Sequence, residues 1–218
     1  METPTRRPGK VVCIGRNYRE HAAELGNAVP TAPIFFLKPT TSVISDGQTI
    51  RLPPQSAEVH YEAELALIIG RRATCVPEAS ALDYVSGYAL LNDVTARDLQ
   101  RADNRFTRAK GFDTFCPISH AELSTPPPTG ARIQCYVDGV RKQDASLTDM
   151  VFPPAFLLAY VSEHMTLEPG DIIATGTPSG VGPLRAGQHV EVRLVDATGT
   201  VLLSIVNPVD HRRLTTAG

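Results

Sequence analysis

The chain has 218 residues, is 42% hydrophobic and carries a formal net charge of −2. That length suits one large domain or two small ones, with apolar content enough for a substantial core and none of the profile of a disordered chain. The slightly acidic balance excludes a general nucleic-acid binder, which carries a clear basic excess, and no apolar run approaches the roughly 20 residues of a membrane span.

The N-terminal residues 1–9 read as a loose tail without the apolar stretch of a secretory signal. Cys13, Cys75, Cys116 and Cys135 are scattered with no C-x-x-C pair, the pattern of reduced thiols in a cytoplasmic protein. "KVVCIG" (10–15) reads as a strand, and "RNYREHAAELGN" (16–27) as a short helix with Asn17 able to cap it and Gly26 at its stop. "APIFFLKP" (32–39) is a strand ended by proline, and Asp46-Gly47 marks a tight turn. "SAEVHYEAELALIIGRR" (56–72) contains a strand that begins with two glutamates. "VPEASALDYVSG" (76–87) reads as helical with Pro77 in its first turn, and "GYALLNDV" (87–94) as a buried strand. "TARDLQRADNRFTRAK" (95–110) reads as a helix opened by a capping-box-like Thr95-x-x-Asp98. "STPPPTG" (124–130) is a surface connection, and "ARIQCYVDGVRKQ" (131–143) a hairpin about Asp138-Gly139. A helix follows proline at 153–165, then a turn, a strand and a glycine-rich loop over 167–182, then a second hairpin over 189–206; residues 211–218 form a C-terminal tail. Strands outnumber helices and regular βαβ alternation is absent, which predicts an α+β, mainly β fold rather than a doubly wound parallel sheet.

The chemistry concentrates in acidic residues at the ends of apolar strands. Glu62 and Glu64 are two apart, so a strand puts both on one face, immediately before the wholly apolar Leu65–Ile69. A half-exposed edge strand with its polar face outward has the same alternation. Asp93, at the end of "YALLN", aims a third carboxylate out of a buried segment. Three such carboxylates suit a hard divalent cation with oxygen ligands, Mg²⁺ first. The six histidines show no paired metal-ligand spacing, which disfavours zinc or non-haem iron.

His21 and Glu24 are three apart on the predicted first helix. That spacing describes either a solvated surface face or a dyad in which Glu24 orients His21 to take a proton from water. Arg97, Arg101, Arg105 and Arg108 recur at helical spacing before Lys110. They read either as a solvated stripe partnered by Asp98 and Asp103 or, with Lys110, as an anion-binding face beside the metal. "TGTPSGVG" (175–182) lacks the Gly-Lys-Ser/Thr of a phosphate loop, and can bind a carboxylate through backbone N–H groups and threonine hydroxyls.

The stretches "GRNYREHAAELG", "FLKP", "VHYEAELALIIG", "GYALLNDVTARDLQ", "RAKGFDTFCP" and "EPGDIIATGTPSGVG", in this order, resemble the fumarylacetoacetate hydrolase family over residues 10–210. The resemblance implies one catalytic domain with a mixed β-sandwich or roll, assembled as a homodimer. It implies Mg²⁺ or Mn²⁺ on Glu62, Glu64 and Asp93, and a catalytic His21–Glu24 pair on a lid helix with Lys110. It places Thr177 against the oxo acid, with Arg16, Arg97 and Gln100 as further substrate contacts and Lys38 in a matching motif. Chain length is most similar to the small acylpyruvase and fumarylpyruvate hydrolase branch, whose members hydrolyse a C–C bond in acylpyruvates. That branch also holds oxaloacetate decarboxylases and the 2-hydroxyhepta-2,4-diene-1,7-dioate isomerase/decarboxylases of homoprotocatechuate degradation. A non-enzymatic protein using the carboxylates to hold its fold is disfavoured, because such a site has no need of His21, Glu24 and Lys110. Two positions depart from the family pattern: Phe106, where many members have Trp, and Ser119-His120, where many have Gly-Pro.

Overall fold

A computed structural model describes residues 7–212 except Leu25, Asn27, Asn104 and Ala121. Residues 1–6 and 213–218 of the two predicted tails lie outside the described residues, as do positions 25 and 27 of the predicted first helix. The chain opens with β1 (Val11–Gly15), the short helix α1 (Arg19–Glu24) and β2 (Ile34–Lys38). β3 (Val43–Ile44) and β4 (Ile50–Leu52) flank the Asp46-Gly47 turn. Glu62 alone separates β5 (Val59–Tyr61) from β6 (Ala63–Ile69), and a 3₁₀ segment, Glu78–Tyr84, leads into β7 (Val85–Asn92). Then come β8 (Thr95–Ala96), α2 (Arg97–Ala102), α3 (Thr107–Lys110) and β9 (Cys116–Pro117). β10 (Arg132–Val137) and β11 (Val140–Ser146) form a hairpin, followed by α4 (Pro154–His164). β12 (Ile172–Ala174), β13 (Gly182–Pro183), β14 (His189–Val195) and β15 (Val201–His211) complete the chain.

Two five-stranded sheets dominate, in the orders β2-β1-β12-β6-β7 and β11-β10-β14-β15-β4. Pairing is mostly antiparallel, with β1–β12 and β15–β4 parallel. The mixed, mainly β architecture is the expected one. Every residue of β6 is buried, and its alternation splits between two cores. Leu65, Leu67 and Ile69 pack with Val12, Ile14 and Ile173 beneath Leu157, Leu158 and Val161 of α4. Ala66 and Ile68 pack with Cys13, Leu91 and Cys116 on the other side. The largest core joins the inner face of the second sheet, through Ile133, Val192 and Ile205, to Leu90, Phe115 and Tyr61. Asp138 and Gly139 have φ of 50° and 78°, the two left-handed positions of the tight turn their sequence predicts. All four cysteines are free thiols. No helix among the described residues is long and apolar enough to cross a membrane.

Three local expectations are corrected. Asn17 does not cap α1: its Nδ2 donates to the carbonyls of Phe152 (3.0 Å) and Thr175 (2.8 Å), and its Oδ1 accepts from Phe152 N (2.8 Å). The predicted helix at 76–87 is a 3₁₀ segment that Pro77 precedes, cut short because the Tyr84 carbonyl accepts from Gly70 N and Val85 already pairs with Ile69. The predicted helix at 95–110 is broken and has no capping box. Thr95 and Ala96 pair with His60 and Val59, and the Thr95 hydroxyl donates to the Asp93 carbonyl, so α2 begins only at Arg97. The arginines therefore form no single stripe: Arg97 turns inward to Glu62, Arg101 pairs with Glu58, and Arg108 pairs with Asp103.

Candidate metal centre and active site

The pairing of β6 with β7 assembles the acidic cluster. Ala63 lies opposite Asn92 and Glu64 opposite Leu91, which brings Glu62 and Glu64 beside Asp93, the residue after β7. The gap at Glu62 is held from both sides: its N–H donates to Asn92 Oδ1 at 2.9 Å, and its carbonyl accepts from Asp93 N at 2.8 Å. Glu64 continues the Ala66/Ile68 face of β6. The three carboxylates are at most 4% exposed, and one oxygen from each lies within 4.8 Å of the others.

Buried like charges need compensation, and three buried cations supply it. Lys110 Nζ donates to Glu62 Oε2 and Asp93 Oδ2, both at 2.7 Å. Lys38 Nζ donates to Asp93 Oδ1 at 2.6 Å, and the Arg97 guanidinium donates to Glu62 Oε1. Burial alone would raise the Glu62 carboxyl, but Arg97 and Lys110 outweigh it and hold it well below the usual carboxylate range. Burial would lower Lys110, and the charges of Asp93 and Glu62 raise it instead, so the ammonium stays protonated.

Glu64 differs. Among the described residues no cation pairs with it; its hydrogen-bond donor is the Gly176 N–H at 2.8 Å. Burial, then the charges of Asp93 and Glu62, push its carboxyl well above the usual range. An all-oxygen donor set with one uncompensated buried carboxylate fits a hard divalent cation. Lys38, Arg97 and Lys110 already pair with Glu62 and Asp93, so the fold is expected to stand without that ion. Chelator-treated protein should stay cooperatively folded, its unfolding midpoint dropping by no more than about 10 °C, the scale of simple mass-action stabilisation. Scanning calorimetry with and without EDTA checks this; loss of the transition after chelation would make the ion a structural staple.

His21 and Glu24 meet at the same site. His21 is 4% exposed, and its Nδ1 lies 3.2 Å from Glu24 Oε2. A carboxylate acceptor requires the proton on Nδ1, which leaves the Nε2 lone pair for another group. Burial lowers the His21 pKa, against the opposing charges of Glu62 and Glu24, so the ring is neutral at pH 7 and able to accept a proton. The dyad is tied to the glycine-rich loop, where Gly180 N donates to Glu24 Oε1 at 3.0 Å and Ser179 Oγ to Glu20 at 3.2 Å. The same loop thus contacts metal-candidate Glu64 at one end and Glu24, the partner of His21, at the other.

A cavity of about 350 Å³ gathers these groups, lined by Arg16, His21, Glu62, Glu64, Asp93, Arg97, Gln100, Lys110 and Thr177 with Ile14, Ile34, Phe36 and Phe106. Glu24 is not among the lining residues and touches the cavity only through its contact with His21. Arg97 reaches the cavity already engaged with Glu62 and with Gln100 Oε1 (2.6 Å). Arg16 is half-buried, has no polar partner among the described residues, and takes a left-handed φ of 58°, a conformation that costs a non-glycine residue roughly 1–3 kcal/mol. Phe106 packs edge-on to Phe36 (5.4 Å between centroids), so it fills the cavity wall. Ser119 bridges to β7, its Oγ accepting from Leu90 N at 2.9 Å. Sequence reasoning left Lys38 without a role and missed Gln143, whose exposed-looking setting, "RKQD", carries no signal of burial.

The sequence profile of the family described as "Fumarylacetoacetate (FAA) hydrolase C-terminal" matches residues 10–209. Among curated proteins, the chain is 47% identical over 187 residues to an oxaloacetate tautomerase FAHD1, mitochondrial, of Arabidopsis thaliana, covering 83% of this chain and 84% of that one. It is 44% identical over 189 residues to the mitochondrial oxaloacetate decarboxylase of Dictyostelium discoideum, covering 84% and 87%. Among solved structures it resembles the fumarylpyruvate hydrolase of Pseudomonas aeruginosa in complex with Mn²⁺ and pyruvate. There the TM-score is 0.83 at 30% identity, with 97% of this chain and 93% of that one covered.

Proposed function

Because the chain belongs to the fumarylacetoacetate hydrolase family, we propose that it is a divalent-metal-dependent enzyme that hydrolyses a C–C bond in acylpyruvate-type 2-oxo acids. The products are pyruvate and a carboxylic acid. The observation that carries this is the shared cavity: the three carboxylates, Lys110 and His21 all open onto one space. The proposal takes residues 10–210 as one catalytic domain and the assembly as a homodimer.

Glu62, Glu64 and Asp93 would hold Mg²⁺ or Mn²⁺. When bound, such an ion supplies a Lewis-acid anchor for a 2-oxo acid and offsets the negative charge that builds as its C–C bond breaks. With all three carboxylates ionised the three buried cations would balance them, and a bound divalent ion would then leave the site positive and attractive to an anionic substrate. Thr177 hydrogen-bonds the substrate carboxylate. His21, held by Glu24, takes a proton from water at Nε2, and the hydroxide adds to the distal carbonyl. The Lys110 ammonium offsets charge on that carbonyl oxygen. The C–C bond then breaks, pyruvate departs as its enolate, and a proton returns to carbon.

A second reading, decarboxylation or tautomerisation of oxaloacetate, rests on the names of the relatives above, and one feature of the cavity suits a dicarboxylate in either reading. Arg16 has no polar partner among the described residues and lines the cavity, which suits it to a second carboxylate on the substrate. Arg16→Gln should raise KM for oxaloacetate or fumarylpyruvate by roughly 10–100-fold, the scale of a lost charge-assisted hydrogen bond, and leave acetylpyruvate unaffected. Steady-state kinetics on the three substrates checks it; an equal change on all three removes Arg16 from tail recognition.

The test of the function itself is a rate panel of acetylpyruvate, fumarylpyruvate and oxaloacetate with Mg²⁺ or Mn²⁺ and EDTA controls. EDTA-sensitive turnover of an acylpyruvate well above oxaloacetate supports the hydrolase. Preference for oxaloacetate moves the assignment to the second reading, and silence on all three overturns both.

A further inference from the structure

Gln143 is 1% exposed, yet it comes from β11, the edge strand of the second sheet. It reaches the site because β11 carries a bulge: Cys135 pairs with Gln143 and Tyr136 with Arg141, leaving Lys142 as the extra residue. The glycine-rich loop is seated on that bulge. A Cβ at Gly180 would lie 2.2 Å from the Lys142 carbonyl oxygen, so the approach requires glycine.

The Gln143 amide makes three hydrogen bonds, all buried. Its Oε1 accepts from Ala63 N at 3.0 Å, between the two glutamates of the acidic cluster. Its Nε2 donates to Thr177 Oγ1 and to the Pro178 carbonyl, both at 2.8 Å. Ala63 N–H can only donate and the Pro178 carbonyl can only accept, so the two backbone groups fix which way the amide faces. Thr177 must then accept from Gln143, and its own hydroxyl proton remains free to be donated elsewhere. Thr177 is 3% exposed and lines the cavity.

We propose that Gln143 is a positioning residue that turns the Thr177 hydroxyl into a directed hydrogen-bond donor for an anionic 2-oxo acid, and locks the loop bearing it to the strand bearing Glu62 and Glu64. This rests on the reading that the oxo acid binds in this cavity. Gln143 acts through Thr177, so its loss should matter only while the hydroxyl is present.

The test is a double-mutant cycle on the Mn²⁺-loaded protein, read by calorimetric binding of oxalate and by KM and kcat. Gln143→Met and Thr177→Val should each weaken oxalate binding by roughly 10-fold or more, the scale seen when an orienting partner is removed, with kcat changed much less. The double variant should bind no worse than Thr177→Val alone, whereas on a Thr177→Ser background, which keeps the hydroxyl, Gln143→Met should still cost its full factor. Gln143→Leu likewise lacks the donor and should weaken oxalate as Gln143→Met does, and an unchanged circular dichroism spectrum and metal stoichiometry in either variant excludes misfolding as the cause. Multiplicative losses in the double variant would make Gln143 merely structural and overturn the inference while leaving the functional reading intact. Failure of the wild-type protein to bind oxalate would overturn both.

Discussion

Glu64→Ala should abolish metal binding and lower turnover at least about 10³-fold, the scale of removing a Lewis acid from the reacting centre. Glu64 is the carboxylate with no cation paired to it among the described residues, so a bound ion would be its counter-charge. The effect on folding should be small, because its removal strands a backbone N–H and no buried cation. Glu62→Ala is the informative contrast. It takes a partner from both Arg97 and Lys110, and breaking a buried pair costs roughly 3–5 kcal/mol. The two variants should therefore separate catalysis from stability: both lose metal, and only Glu62→Ala loses several kcal/mol in denaturant unfolding. Metal content by mass spectrometry beside turnover decides the first point, and a fully active Glu64→Ala protein would sink the metal assignment.

His21→Ala should lower acylpyruvate hydrolysis by about 10²–10⁴-fold and spare part of any oxaloacetate decarboxylation, which needs no activated water. The pH dependence carries a signature. Burial holds the His21 pKa below 6.5, so the neutral base persists through pH 7 and hydrolysis should decline only at pH values below 6.5, as the ring takes up a proton. In His21→Ala the residual rate should lack that acidic limb. Glu24→Gln should lose less than His21→Ala, since one acceptor oxygen remains for the two donors, His21 Nδ1–H and Gly180 N–H, that Glu24 serves. An unaltered hydrolysis rate in His21→Ala would show that the dyad does not activate water.

The candidate site was legible where local periodicity and burial coincide. Glu62, Glu64 and Asp93 stand at the ends of strands whose apolar runs announce a core, and β6–β7 pairing does the rest. What neutralises them was less legible. Lys38 sits on β2, Arg97 on α2 and Lys110 on α3, three separate elements, and only tertiary packing aims them at one point. Arg97 shows the difficulty: at helical spacing from Arg101 it reads as a surface residue, yet the short β8 pairing ends at Ala96 and turns it inward. Asn17 was misread for a similar reason. A cap is a local option for asparagine, and the distant backbone groups of Phe152 and Thr175 took the side chain instead. Gln143 had no local signal, because its burial depends on a bulge and on a loop some 35 residues further along the chain.

The six-residue α1 carries His21 and Glu24, and a helix of that length has little stability of its own in water. It is fastened to the glycine-rich loop through Glu20 and Glu24, whereas the carboxylates and their cations are set in the sheets and the packed core. The half of the site proposed to handle protons is thus clipped on from outside, and the acidic half is anchored within. If the chain works as proposed, releasing those two clips and lifting the buried His21 and Ala22 would open the site without breaking a strand pairing, so access to the site and integrity of the sheets would rest on separate sets of bonds.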